Sequence, residues 1–178
     1  MSTDAFREYN VLFLCAHNSA RSIMAECALR RWGNGRFHAY SAGSHPAEAP
    51  NPLALAILKS YNFKTDHLRS KSLEEFLADD APRMDFVFTV CETLAGENCP
   101  TLPGHPLTAH WPIEDPTRTE GTEEKRLRAF RRAYVEIETR CKIFASLRVE
   151  SLDNLTLQSS LNLIGRHQAA PGEVDATA

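Results

Sequence analysis

The pattern of apolar and polar positions opens with a run that does not alternate. Asn10 to Cys15, NVLFLC, is almost wholly apolar, as a central parallel strand buried on both faces would be. From Ala20 the apolar positions Ala20, Ile23, Met24, Cys27 and Ala28 recur at helical spacing, and the pattern closes near Gly33 and Gly35. Phe37 to Ala42 predicts a second strand ending at Gly43. A proline-containing loop from His45 to Pro52 leads into a helix from Pro52 to about Tyr61, and SKSLEEFL places a capping serine before a short helix. Asp85 to Cys91, DFVFTVC, is the clearest second core strand, and it too ends in cysteine. LTAHW predicts a fourth short strand and PIEDPT a loop. A long amphipathic helix follows, with Leu127, Phe130, Tyr134, Ile137, Cys141 and Phe144 on one stripe. Residues 151 to 165 predict a further short helix ended by Gly165, and the tail RHQAAPGEVDATA is expected to be disordered.

Strands spaced by helices in this way predict an α/β fold: a parallel sheet with helices on both faces. With 178 residues, 43% of them hydrophobic, the chain is long enough for one sizeable core, and a single domain is expected. Its boundaries are expected at 1–148, with 149–178 as a C-terminal extension. A net charge of −3 without a long basic run argues against nucleic acid or an anionic membrane surface as partner. The basic residues from Lys125 to Arg132 interleave with apolar positions and read as one solvated helix face. No segment approaches the roughly 20 apolar residues of a membrane span, and the N-terminus lacks a signal-peptide pattern, so a cytoplasmic protein is expected. Its five cysteines are odd in number and irregular in spacing, which in a reducing compartment makes them structural, metal-binding or reactive.

In open parallel sheets ligands bind beyond the carboxyl ends of the strands. Both strand-terminal cysteines fall at that edge. A loop from Cys15 to Arg21 that opens a helix turns backbone N–H groups and the positive helix end toward an anion, so Ala16, His17, Asn18, Ser19, Ala20 and Arg21 are the expected anion-binding residues. Arg21 adds a planar fork able to hold two oxyanion oxygens. The same field favours thiolate over thiol at Cys15; cysteines in such positions have pKa values of about 3.5–7.5. Ser22 is placed to donate to the sulfur. Cys27 and Cys141 fall on apolar helix stripes and read as core.

CAHNSARS matches the Cys-x5-Arg-Ser loop of the low-molecular-weight protein tyrosine phosphatase superfamily, and Val11 to Glu26 resembles the arsenate reductases built on that fold. The resemblance continues through YSAGSHPAEAPNPLALAIL, VFTVCETLAGENCP and HWPIEDPT, covering nearly all of residues 10 to 148. It implies a four-stranded parallel sheet in the order 2-1-3-4. It implies that Asp115, in the Asp-Pro loop, is the general acid protonating the oxygen expelled when Cys15 attacks phosphate or arsenate; Glu114 is a second carboxylate beside it, and His110 and Trp111 support the loop.

A phosphatase of this kind needs one cysteine, whereas reducing arsenate to arsenite takes two electrons, which thiols supply by forming a disulfide. Resemblance to the thioredoxin-coupled arsenate reductases implies a relay. Cys15 forms the arseno adduct, Cys91 attacks Cys15 and releases arsenite, and Cys99 attacks Cys91, leaving a disulfide for a thioredoxin-like partner. The Cys91 to Cys99 gap is one residue longer than in the best-known pattern of that type, and Ala20 replaces a cysteine found in some members. A glutathione- and glutaredoxin-dependent variant is the alternative reductant; a phosphatase acting through phosphocysteine is the alternative function. DPTR lacks the aromatic residue that often follows Asp-Pro in the phosphatases, which favours a small inorganic anion. No bound cofactor is expected, and the assembly expected is a monomer or weak dimer. A zinc site at Cys91, Cys99 and His105 is the rival of another class, but the sequence has no closely spaced cysteine pair.

Overall fold

Val11, Leu12, Phe13 and Leu14 are fully buried, because strand β1 (Tyr9–Cys15) lies inside the sheet with cover on both faces. The computed structural model describes residues 7–94 and 101–168. β1 pairs in parallel with β2 (Phe37–Gly43), from Tyr9 opposite Phe37 to Cys15 opposite Gly43. On its other side it pairs with β3 (Phe86–Thr89), Leu14 lying opposite Thr89, and β3 pairs with β4 (Leu107–His110). The order β2-β1-β3-β4 is the one the resemblance implies.

The two faces are covered unequally. Tyr9, Val11 and Phe13 join the larger core with α1 (Arg21–Trp32), α2 (Pro52–Ser60), α3 (Glu123–Ser146) and α4 (Asn154–Arg166). Leu12 and Leu14 face a smaller cluster that includes Leu73, Phe76, Met84 and Leu102. Its helical cover is the short 3₁₀ helix Leu73–Phe76, whose first turn is capped by Ser72 accepting from the Glu74 N–H at 3.3 Å. α1 is buried continuously from Ser22 to Leu29, because it packs against both β2 and α3. Thr122 caps α3, and Glu123 and Glu124 in its first turn suit the positive helix end.

The boundaries of β3, β4 and α4 differ from expectation. β3 is shorter than Asp85–Cys91, although Asp85 N–H donates to Asn10 O and Val90 N–H to Leu14 O, so its hydrogen bonding runs past both ends. β4 ends at His110, with Trp111 N–H still donating to Thr89 O. Gly165 does not end the last helix but lies inside α4. A Cβ there would stand 2.3 Å from His110 O, so the glycine is there for the close approach of α4 to the end of β4. Of the tail expected to be disordered, residues 169–178 lie outside the described residues.

Phe88 and Trp111 stack at 3.9 Å and 9°, and Phe144 of α3 packs edge-on to both at 5.2 and 5.9 Å while also touching Phe37 at 4.7 Å. Phe144 is fully buried and joins the sheet to α3. Phe144→Ala is therefore expected to destabilise the fold by about 3–5 kcal/mol, measured as a lower denaturation midpoint in urea.

Candidate active site

Cys15 ends β1, and the chain then curls through residues 16–20 into α1. Three carbonyls of this loop are held from outside: His45 N–H donates to Ala16 O, Ala47 N–H to His17 O and Asn51 N–H to Ser19 O, at 2.8–2.9 Å. In trans peptides C=O and N–H point oppositely, so the N–H groups of His17, Asn18 and Ala20 turn away from the 45–51 segment. The N-cap of α1 is Ala20, which offers no side-chain cap, and the first turn holds no acidic residue; the helix's opening N–H groups are left for an anion. Gly43 lets β2 approach this loop, since a Cβ would sit 2.8 Å from Ala16 O and 2.9 Å from Asn18 N.

Arg21 joins this loop to a second one. Its guanidinium donates to Ile113 O at 3.0 Å and pairs with Asp115 Oδ2 at 3.3 Å. Asp115 also accepts from Thr117 N–H at 3.0 Å and Thr117 Oγ1 at 2.7 Å. Burial raises its pKa, but the Thr117 hydrogen bonds, Arg21 and Arg118 outweigh that and hold the carboxyl below its ordinary value. Glu114 is exposed beside it. His110 shares a 2.8 Å hydrogen bond with Thr89 Oγ1, and Trp111 is buried against Phe88. A cleft of about 1090 Å³ opens here, lined by Ala16, His17, Arg21, Thr93 and Asp115 among others.

Cys91 follows the end of β3 and lies next to Cys15, near disulfide distance; both are free thiols and both are buried. The hydrogen bond from Cys15 lowers the Cys91 pKa, against burial, with help from the Leu94 and Ala16 N–H groups and from Arg21. The same bond, with burial, raises Cys15, opposed by Arg21 and the His17 N–H. Between the two sulfurs the proton is thus favoured on Cys15 and the anion on Cys91, the reverse of the thiolate expected at Cys15, because Cys15 donates the hydrogen bond. Cys27 and Cys141 are core, as expected, and burial pushes both thiols up, Cys27 to about 12.

The match to the low molecular weight phosphotyrosine protein phosphatase family spans residues 10–155. The chain belongs to that family. It is 35% identical over 135 residues to the arsenate reductase of Bacillus subtilis (strain 168), covering 76% of this chain and 94% of that protein. The crystal structure of arsenate reductase from Archaeoglobus fulgidus DSM 4304 aligns with a TM-score of 0.61 at 31% identity, covering 77% of this chain and 99% of that one. The Corynebacterium glutamicum thioredoxin-dependent arsenate reductase Cg_ArsC1' aligns with a TM-score of 0.57 at 29% identity, over 78% of this chain and 60% of that one. The protein is thus a family member homologous to arsenate reductases, thioredoxin-dependent ones included.

The structure gathers Cys15, residues 16–21, Ser22, Cys91 and Asp115 at the carboxyl edge of the sheet. Cys99 lies outside the described residues, and with it one member of the zinc reading; no group of three metal-ligating side chains occurs among the described residues. Sequence reasoning missed the polar network beneath the loop. Asn18, buried with φ of 44°, donates from Nδ2 to Ser22 Oγ at 2.8 Å and accepts from the Lys71 N–H at 2.8 Å. Lys71 Nζ reaches Glu26 Oε2 at 3.3 Å, Ser41 donates to the same oxygen, and Arg30 holds Oε1 at 2.8 Å. A glutamate inside the apolar run of α1 was the available signal, because a buried carboxylate requires a cationic partner.

Lys71→Met is expected to cost about 3 kcal/mol, the lower end for a broken buried pair because Arg30 remains, with part of the loss recovered in a Lys71→Met/Glu26→Gln double variant; thermal denaturation of the three proteins checks this. Thiolate absorbance is expected to persist at pH 7 and to vanish only as pH falls well below the ordinary thiol range. Cys15→Ala, which removes the largest cause of the lowered Cys91 pKa, is expected to move that midpoint upward.

Proposed function

We propose that this protein reduces arsenate to arsenite, and the observation that carries the reading is the second thiol. An oxyanion loop with one cysteine suffices for phosphate hydrolysis, whereas Cys91 hydrogen-bonded to Cys15 provides a two-electron donor at the same place. The homologous arsenate reductases support it.

In this reading the anion sits on the N–H groups of the loop and the Arg21 fork. Cys15 gives its proton to an oxygen of the bound oxyanion and its sulfur attacks arsenic, an As–O bond breaks, and the expelled oxygen leaves as water after taking a proton from Asp115, while Cys91 stays ionised. Ser22, which accepts from Asn18, has its own hydroxyl proton to give to the sulfur. Cys91 thiolate then attacks Cys15 sulfur: the S–S bond forms, the S–As bond breaks, and its electron pair stays on arsenic, which falls from As(V) to As(III). Two sulfurs have lost the two electrons arsenic gained. Cys99 is read as the next thiol, attacking Cys91 and freeing Cys15, with an external thiol reductant of the thioredoxin or glutaredoxin type closing the cycle; similarity to a thioredoxin-dependent reductase supports the former. No helix among the described residues is long and apolar enough to cross a membrane, and reduced thiols suit the cytoplasm. Phosphocysteine chemistry on the same loop is the second reading, favoured by the family to which the chain belongs.

The deciding assay is multiple-turnover arsenate reduction with thioredoxin and its reductase against glutathione and glutaredoxin. Turnover is expected with thioredoxin; failure with both, alongside hydrolysis of an aryl phosphate, would establish the second reading instead. Cys15→Ser is expected to abolish both activities, and Cys91→Ser to stop arsenate turnover while sparing aryl phosphate hydrolysis. Arg21→Lys is expected to weaken anion binding by at least about tenfold, since an ammonium cannot replace the bidentate fork.

A further inference from the structure

Arg140 has no place in the chemistry above, yet its side chain is only 3% exposed. A guanidinium so far from water must be fully occupied, and its partners come from three elements. It pairs with Glu136 at 2.6 Å within α3. It donates to Pro112 O at 2.9 Å. Nε and one terminal nitrogen both donate to His167 O, at 3.1 and 2.9 Å, at the end of α4.

Pro112 belongs to the segment that carries Asp115, and that segment is tied at nearly every step. Trp111 N–H donates to Thr89 O and Trp111 Nε1 to Leu161 O of α4. Ile113 N–H donates to Val90 O, and Ile113 O accepts from Arg21. The β strands and Arg21 supply some of these ties, while α3 and α4 supply the rest. Gly165 packs its backbone directly on His110 O, where β4 hands over to the segment. The last turn of α4 and the Arg140 fork thus hold the segment at His110, Trp111 and Pro112, just before the point where Arg21 holds it at Ile113 and Asp115. The family match ends at residue 155, so most of α4, with Leu161, Gly165 and the following His167, lies beyond the family's shared core.

We propose that Arg140 and the last turn of α4 are a positioning device for Asp115: the C-terminal segment beyond the family core sets the carboxyl over Cys15. The proposal rests on the reading of Asp115 as general acid. A misplacement near 1 Å costs about a hundredfold in rate, so small shifts of this clamp are visible in kinetics without loss of fold. Lysine at 140 brings one point charge to a site that uses three nitrogens of a fork. Alanine at 165 places a methyl where no space exists and pushes α4 off the end of β4.

The test follows the single-turnover rate of arsenite release from fully reduced protein at saturating arsenate, which requires no external reductant. Arg140→Lys and Gly165→Ala are expected to slow it about 10- to 100-fold while leaving the half-saturating arsenate concentration within about twofold. In an Asp115→Asn background the same substitutions are expected to add less than about twofold, because residues acting through one group are not additive. Assays run well below each variant's Tm separate positioning from stability, and Gly165→Ala carries the test if Arg140→Lys does not fold. An unchanged rate, or a loss that persists undiminished without Asp115, would overturn the proposal. An Asp115→Asn protein as fast as the parent would overturn the acid assignment itself, and a protein that releases no arsenite but hydrolyses aryl phosphate would shift the same comparison to that reaction, where Asp115 has the same task.

Discussion

Because β1 and β3 run parallel and adjacent, with Leu14 opposite Thr89, the chain leaves both strands at the same edge of the sheet. The Val90 N–H to Leu14 O bond carries the pairing one residue further, so that Cys91 emerges beside Cys15. A slip of one residue would turn either side chain to the opposite face. What holds the register is the aromatic packing of Phe13, Phe88, Trp111 and Phe144. The distance between two sulfurs is therefore set by a core that contains no catalytic atom.

Around those sulfurs the charges are few and closely matched. Arg21 directs its fork to Ile113 O and Asp115, and the carboxyl is kept below its ordinary pKa in spite of burial. The general-acid role proposed for Asp115 requires the protonated form instead. In the proposed mechanism the oxyanion would take the same fork, withdrawing the cation from Asp115 and setting negative charge beside it, and both changes would raise the carboxyl's affinity for a proton. In the proposed reaction the proton held by Cys15 must pass to the bound oxyanion and not to Cys91, so that the second sulfur is still ionised when its turn comes. Beneath the loop, Glu26 is held by both Lys71 and Arg30, and the backbone of Lys71 in turn holds Asn18, which donates to Ser22.

Local features were legible in the sequence. The apolar run ending in Cys15, the stripe of α3 and the Cys-x5-Arg-Ser loop each show themselves within one short window, and strand-helix alternation was enough to indicate a parallel sheet. Features whose cause lies far along the chain were not legible. Lys71 reads as a surface residue until Glu26, 45 positions away, is placed against it. Arg140 adjoins the buried stripe of α3 at Ile137 and Cys141, but its partners at Pro112 and His167 are 28 and 27 residues off. Gly165 was misread for the same reason: glycine commonly ends helices, and only the carbonyl of His110 beneath it shows that close approach is what the position demands.

A phosphatase and a reductase can share every feature of the anion loop, because phosphate and arsenate present the same charge and shape to it. What separates them is the fate of the bond between sulfur and the central atom. Water attacking at the central atom leaves the oxidation state unchanged, whereas a thiolate attacking at sulfur leaves the electron pair behind on the central atom. The second path requires a nucleophile that is already ionised, is in line with the sulfur and is shielded from competing solvent. Cys91 meets the first and the last of these: it is buried, and the backbone N–H groups of Ala16 and Leu94, with Arg21, favour its anion and stay in place once Cys15 has no proton left to donate. The reductive outcome is thus built into the meeting of two strand ends, and the anion loop alone does not decide it.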